Sequence, residues 1–134
     1  MASIIKIEGI GPVYQQKLQS VGVKTVEKLL KTGATSAGRD KLAKDADISR
    51  DLILEWVNHA DLWRIKGVGE EYSDLLEEAG VDTVVELAQR RADNLFAKMN
   101  EINMSKKLVR RLPTESQVSD WINQAKKLPR VVSY

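Results

Sequence analysis

The residues of this chain that could do chemistry are two glycine pairs, a basic cluster and a run of carboxylates. Gly9 and Gly11 stand in IEGIGPVYQQKLQSVGV, residues 7–23, and Gly67 and Gly69 stand in IKGVGEEYSDLLEEAGV, residues 65–81. Glycine, an apolar residue and glycine ahead of a helical pattern make a tight turn, because glycine takes positive φ and lets a neighbour approach. The N–H groups that open the following helix have no partner within it and lie along its dipole, so they suit an anion such as phosphate. Gly9, Ile10, Gly11 and Val13 form such a site at the first turn, with Lys6 and Lys17 beside it; Gly67 and Gly69, with Lys66, form one at the second. Lys106, Lys107, Arg110 and Arg111, in KKLVRR, are the densest basic cluster, and on a helical turn Lys107 and Arg111 share a face.

Other chemistry is discounted on residue type. There are no cysteines, which removes disulfides, thiolate zinc sites and a cysteine nucleophile together. His59 is the single histidine, so neither metal binding nor general-base work is expected of it. Glu70, Glu71, Asp74, Glu77 and Glu78 fall along one helical segment at spacings that spread them around it, whereas phosphodiester hydrolysis wants carboxylates converging on metal ions. GIGPVY and GVGEEY lack the third glycine and the preceding strand of a dinucleotide site. The expectation is a protein that is not an enzyme, with no catalytic residues, no metal, no cofactor and no small-molecule substrate.

The elements that must position the glycines repeat along the chain. A shift of 58 positions pairs Ile7 with Ile65, Gly9 with Gly67, Gly11 with Gly69, Tyr14 with Tyr72, Leu18 with Leu76 and Gly22 with Gly80. Gly22 and Gly80 each sit where a helix ends on a left-handed glycine. Ser3 caps a short helix before the first turn, Asp61 takes the matching place before the second, and Pro12 opens the helix that follows. Thr25 starts a further helix, and Thr83 to Glu86 has the form of a capping box. Helices then follow from about Ser36 and from Ser49, the latter with an apolar stripe of Leu52, Ile53, Trp56, Val57 and Ala60. Leu95, Phe96, Met99 and Ile102 support another, and Val118, Trp121, Ile122, Ala125 and Leu128 line the last, after Pro113. Trp56, Trp63 and Trp121 read as core anchors, and Tyr14 and Tyr72 as packing against their own units. Because Trp56-Val57-Asn58-x-Ala60 matches Trp121-Ile122-Asn123-x-Ala125 at an offset of 65, the whole unit is repeated. No stretch alternates with a period of two, so no sheet is expected.

At 134 residues, 43% hydrophobic and 30% charged, the composition is that of an ordinary globular chain. The start MASIIKIEGIGP resembles neither a secretory nor a transit leader, and no apolar run approaches transmembrane length, so a cytoplasmic protein without membrane contact is expected. The net charge of +2 is unevenly spread. Residues 1–31 hold five lysines against two glutamates, whereas the helix after the second turn is acidic. A phosphate at the second turn would meet like charge within about one Debye length, so the first turn is the better anion site.

Both glycine segments resemble the helix-hairpin-helix motif, apolar-x-Gly-apolar-Gly followed by a helix and a glycine. With the W-I-x-Q-A-K-x-L ending, the chain looks like a mostly bacterial family of uncharacterised proteins built from two such units. The resemblance implies an all-α fold of two tandem duplicated units, residues 1–60 and 61–134, each of about four to five short helices, packed as one compact body. It also implies sequence-independent binding of DNA, or of structured RNA, through hairpin amides and flanking Lys and Arg. Gln15, Ser73, Val13 and Glu71 depart from the small, basic or hydroxyl residues the DNA-binding pattern carries at those places, which removes side-chain support for phosphate. The alternative is a protein-interaction or scaffolding domain in which the hairpins are structural only and the acidic helix of the second unit meets a basic partner.

Overall fold

A computed structural model describes residues 2–134. Among these residues the chain is all-helical: a 3-10 turn at Ile4–Lys6 is followed by α1 (Pro12–Ser20), α2 (Val26–Thr32), α3 (Ser36–Ala46), α4 (Arg50–Leu62), α5 (Glu70–Glu78), α6 (Val84–Ala88), α7 (Ala92–Lys106) and α8 (Glu115–Lys127). An isolated antiparallel bridge, Ser3 to Thr25, is the β-type contact among them. Contacts divide the chain into two compact units, Met1–Asp61 with Val131–Tyr134, and Leu62–Arg130.

The helix boundaries follow from short polar signals. Thr25, Thr35, Thr83 and Thr114 each accept a hydrogen bond from the backbone N–H three residues on, at 3.1, 3.0, 3.3 and 3.1 Å. Ser49 does the same for Leu52 at the start of α4. Each such cap satisfies one N–H that the helix leaves open and contributes about 1 kcal/mol. At Thr114 the bond is reciprocal, since Gln117 accepts from the Thr114 N–H at 2.8 Å. At Thr83 the return bond slips by one residue, because Glu86 accepts from the Asp82 N–H at 3.4 Å. α1 and α5 end on Gly22 (φ 86°) and Gly80 (φ 92°). There the Val23 and Val81 N–H groups donate back to Leu18 and Leu76 at 3.0 and 2.9 Å, the six-to-one bond of a Schellman ending.

In the first unit Ile4, Ile7, Leu18, Leu29, Ile53, Trp56 and Val57 are buried. In the second, Leu62, Ile65, Leu75, Leu76, Val84, Leu87, Leu95, Met99, Val118, Trp121 and Ile122 form one apolar cluster. Each such side chain contributes on the order of 1.5–3 kcal/mol when fully buried. The tryptophans carry the contact to the helix after the turn. The Tyr14 and Trp56 rings meet edge-on at 5.1 Å, and the Tyr72 and Trp121 rings lie tilted at 5.2 Å. Trp63 is only half-buried, with its indole N–H donated to Ser73 Oγ at 3.2 Å.

Two expectations are corrected. Asp61 is not a cap, because α4 runs on through Leu62, whose side chain is fully buried in the second unit's apolar cluster. KKLVRR is not a helical turn: α7 ends at Lys106, and Lys107 takes a left-handed φ of 51°. Asn103 then holds the Val109 main chain at both ends, Oδ1 accepting its N–H at 3.0 Å and Nδ2 donating to its carbonyl at 3.3 Å, which commits the segment to an extended path. Residues 131–134 pack with the first unit.

Candidate nucleic-acid interface

The two turns are built alike. Gly9 has φ 94° and Gly67 φ 99°, values that side chains rarely adopt. Ile10 and Val68, both buried, donate their N–H groups to Ile7 and Ile65 at 3.1 and 3.0 Å, closing each turn. A Cβ on Gly9 would stand 3.2 Å from Trp56 Nε1, and one on Gly67 3.0 Å from Trp121 Nε1, so each turn rests on the indole edge of its unit's long apolar helix. Gly11 and Gly69 face open space, with nothing within 4 Å of an added Cβ.

The helix starts beyond the turns differ in charge. No side chain caps α1, no acidic residue stands in its first turn, and the Gln15 N–H is the first to enter the ladder, onto Gly11 O at 2.9 Å. Pro12 has no N–H, so Gly11, Val13 and Tyr14 present the donors ahead of it. The Val13 side chain at this opening is 67% exposed. α5 also starts without a side-chain cap, on Gly69, but carries Glu70 and Glu71 in its first turn. Those carboxylates complement the positive end of α5 from within the chain.

The basic residues divide between the two units. Lys6 is exposed at the end of the 3-10 turn, beside the first glycine pair. Lys17 points to the other end of α3: its ammonium donates to the Asp47 carbonyl at 2.9 Å and lies 3.8 Å from the Asp47 carboxylate. A cation at a helix C-terminus is favoured by the dipole, and here it closes an end whose last residue, Asp47, is left-handed at φ 54°. Lys66 is exposed, and its main chain is gripped by Gln124 of α8, which accepts its N–H at 2.8 Å and donates to its carbonyl at 3.0 Å.

Lys106 and Arg110 pair with the acidic helix of their own unit. Lys106 Nζ lies 2.7 Å from Glu78 and Arg110 Nε 3.4 Å from Glu71. The Arg111 carbonyl accepts from the Tyr72 hydroxyl at 2.8 Å. Lys107 and Arg111 are exposed. The structure therefore attaches Lys106 and Arg110 to α5, leaves Lys6 beside the first turn and draws Lys17 to the end of α3. Sequence reasoning did not find Gln124, Asn103 or these ion pairs. Gln124 lies 58 positions from Lys66, Asn103 was one polar residue inside an apolar pattern, and both basic residues pair with acids 28 and 39 positions away.

No helix among the described residues is long and apolar enough to cross a membrane. No curated protein and no solved structure matches the chain. A family model described as "Domain of unknown function (DUF4332)" matches residues 8–128, nearly the whole chain, and the protein belongs to that family.

Proposed function

We propose that the chain is a tandem pair of helix-hairpin-helix units and that the first unit holds the sugar-phosphate backbone of DNA without reading sequence. The observation that carries this reading is the start of α1: an N-terminus with no side-chain cap and no acid, opening beyond a glycine with clear space in front of it. Backbone donors so placed accept a phosphate, and Lys6 adds charge beside them. The two units share turn geometry, Schellman endings, aromatic pairs and left-handed residues Asp47 and Lys107 after α3 and α7, which supports their reading as copies of one unit. Within that frame Lys17 is a structural cap, and the 106–111 cluster contributes to binding only through Lys107, Arg111 and whatever charge its ion pairs leave exposed.

The second reading, docking of a protein partner, is favoured by Val13, an exposed apolar side chain where a phosphate-gripping turn would gain from a basic or hydroxyl one. Fluorescence anisotropy of labelled duplex, single-stranded and branched DNA at low and moderate salt, with wild type and Lys6→Glu, separates the two. Salt-sensitive binding that is weakened by Lys6→Glu supports the phosphate reading. Absence of binding at low salt refutes it and leaves the protein-docking surface as the function to pursue.

A further inference from the structure

Residues 131–134 pack on the first unit, held there by a buried arginine. Val132 is buried, the Ser133 N–H donates to the Ala34 carbonyl at 2.8 Å, and the Tyr134 hydroxyl donates to Asn58 Oδ1 at 3.3 Å. Arg39 is 1% exposed. Its Nη1 donates to the carbonyls of Gly33 and Ala34 at 2.9 and 3.2 Å, its Nη2 donates to the Ser133 carbonyl at 2.6 Å, and the Tyr134 ring centroid is 5.6 Å from the guanidinium carbon. The loop beneath is tightly built: a Cβ on Gly33 would collide with Val57, and one on Gly38 with the Thr32 carbonyl.

Two features of this anchor are not explained by folding. Every hydrogen-bond acceptor of Arg39 is a neutral carbonyl, and its Nε is buried with no partner. Asp40, the neighbouring acid, pairs with Arg50. Burial, and after it the nearby Arg50 charge, lowers the guanidinium from its usual value, with Tyr134 and Asp40 opposing the shift more weakly. A buried cation with no carboxylate in hydrogen-bond contact is costly. Counting eight residues back from the left-handed residues Asp47 and Lys107 gives Arg39 in one unit and Met99, fully buried, in the other. The same position is thus filled by an apolar side chain where no charge is needed.

We propose that this surface is a docking site for the C-terminal carboxylate of an extended peptide carrying an apolar residue just before its last, with residues 131–134 as the built-in competitor. The Ser133 carbonyl offers one oxygen to Nη2. A terminal carboxylate in its place offers a second oxygen to the unpartnered Nε, completing a two-bond fork and bringing a negative charge into direct contact. The peptide keeps the N–H bond to Ala34, and its apolar side chain takes the seat of Val132. This proposal is independent of nucleic-acid binding.

The test is anisotropy with fluorescein-labelled Arg-Val-Val-Ser, as free acid and as amide, against the full chain and its Val132→Asn variant, in which the competing segment loses its apolar seat without gaining a carboxylate. The free acid binds the Val132→Asn chain about tenfold more tightly than the amide does, from the stronger charge-assisted bonds. It also binds the variant more tightly than the intact chain. Arg39→Met in the same background removes the preference for the acid. Should that variant fail to fold, as judged by circular dichroism, Arg39→Lys, which keeps the charge but lacks the fork, shows a reduced preference. Equal binding of acid and amide, or no saturable binding by either, overturns the proposal.

Discussion

Gly9 and Gly11 are two residues apart, yet alanine at each should do opposite things. An alanine at position 9 must hold φ near 94°, outside the regions favoured by side chains, and its Cβ would stand 3.2 Å from Trp56 Nε1, a rigid neighbour that is fully buried. Left-handed backbone costs about 1–2 kcal/mol for a side-chain-bearing residue, and the close contact adds to it, so Gly9→Ala should destabilise by about 2 kcal/mol. For a unit of this size roughly 4–8 °C of Tm accompanies each kcal/mol, which gives a loss near 10 °C. At position 11 the φ is −87° and nothing lies within 4 Å of an added Cβ, so Gly11→Ala should shift stability by no more than about 0.5 kcal/mol. That methyl group fills part of the open space beyond Gly11. If the α1 amides hold a phosphate, losing one or two charge-assisted contacts of about 1.5–3 kcal/mol each weakens DNA binding by about tenfold or more. Thermal unfolding by circular dichroism and DNA anisotropy on the same preparations measure both quantities. A Gly11→Ala protein that melts like wild type and binds DNA as well as wild type refutes the role assigned to the start of α1. A Gly9→Ala protein of unchanged Tm refutes the turn geometry itself.

Replacing Glu71 and Glu78 by Gln frees Arg110 and Lys106. Both pairs are largely exposed, so stability is expected to stay within about 1 kcal/mol, while the slope of log K against log salt steepens by about one to two if the freed cations reach phosphate. An unchanged slope excludes them from the interface. Thr114→Ala should cost about 1 kcal/mol in urea unfolding. Adding Gln117→Ala should cost less than the sum of the single changes, because the two bonds form one reciprocal cap, and strict additivity would argue against it. Asn103→Leu strips both hydrogen bonds from Val109 and should cost about 1–3 kcal/mol, with faster amide exchange at Val109 as the local readout. Unaltered exchange there would show that Pro113 and packing suffice to hold the segment.

Much of the architecture was legible because the residues that specify it act over short distances. The positive φ of Gly9, Gly22, Gly67 and Gly80, the threonine caps, and the apolar stripes of α4 and α8 are all readable within one or two helical turns. Asp61 misled because a good capping residue sits in the last turn of a helix when the next side chain, Leu62, is buried. KKLVRR misled because its conformation is imposed by Asn103, whose amide holds a main chain six residues away. Lys17 lies near the first turn in sequence, but its ammonium is taken by the end of α3, 30 residues on. Arg39 gave no outward sign, since a lone arginine in TSAGRDKL has the pattern of a solvated face, and its burial depends on a segment 94 residues away. Long-range pairing of polar groups, rather than helix formation, is what a single sequence conceals.

The indole edges under Gly9 and Gly67 have a consequence for motion. Each turn is closed by its own hydrogen bond, rests on a tryptophan of the unit's core and is joined to the following helix by an aromatic pair. A turn so mounted cannot open without lifting Trp56 or Trp121 out of the core, so its opening free energy approaches that of unfolding the unit. The Ile10 and Val68 amides should then exchange with solvent as slowly as the centres of α4 and α8, despite lying in loops. A ligand meeting the first turn encounters a shape already set and loses little entropy in ordering it.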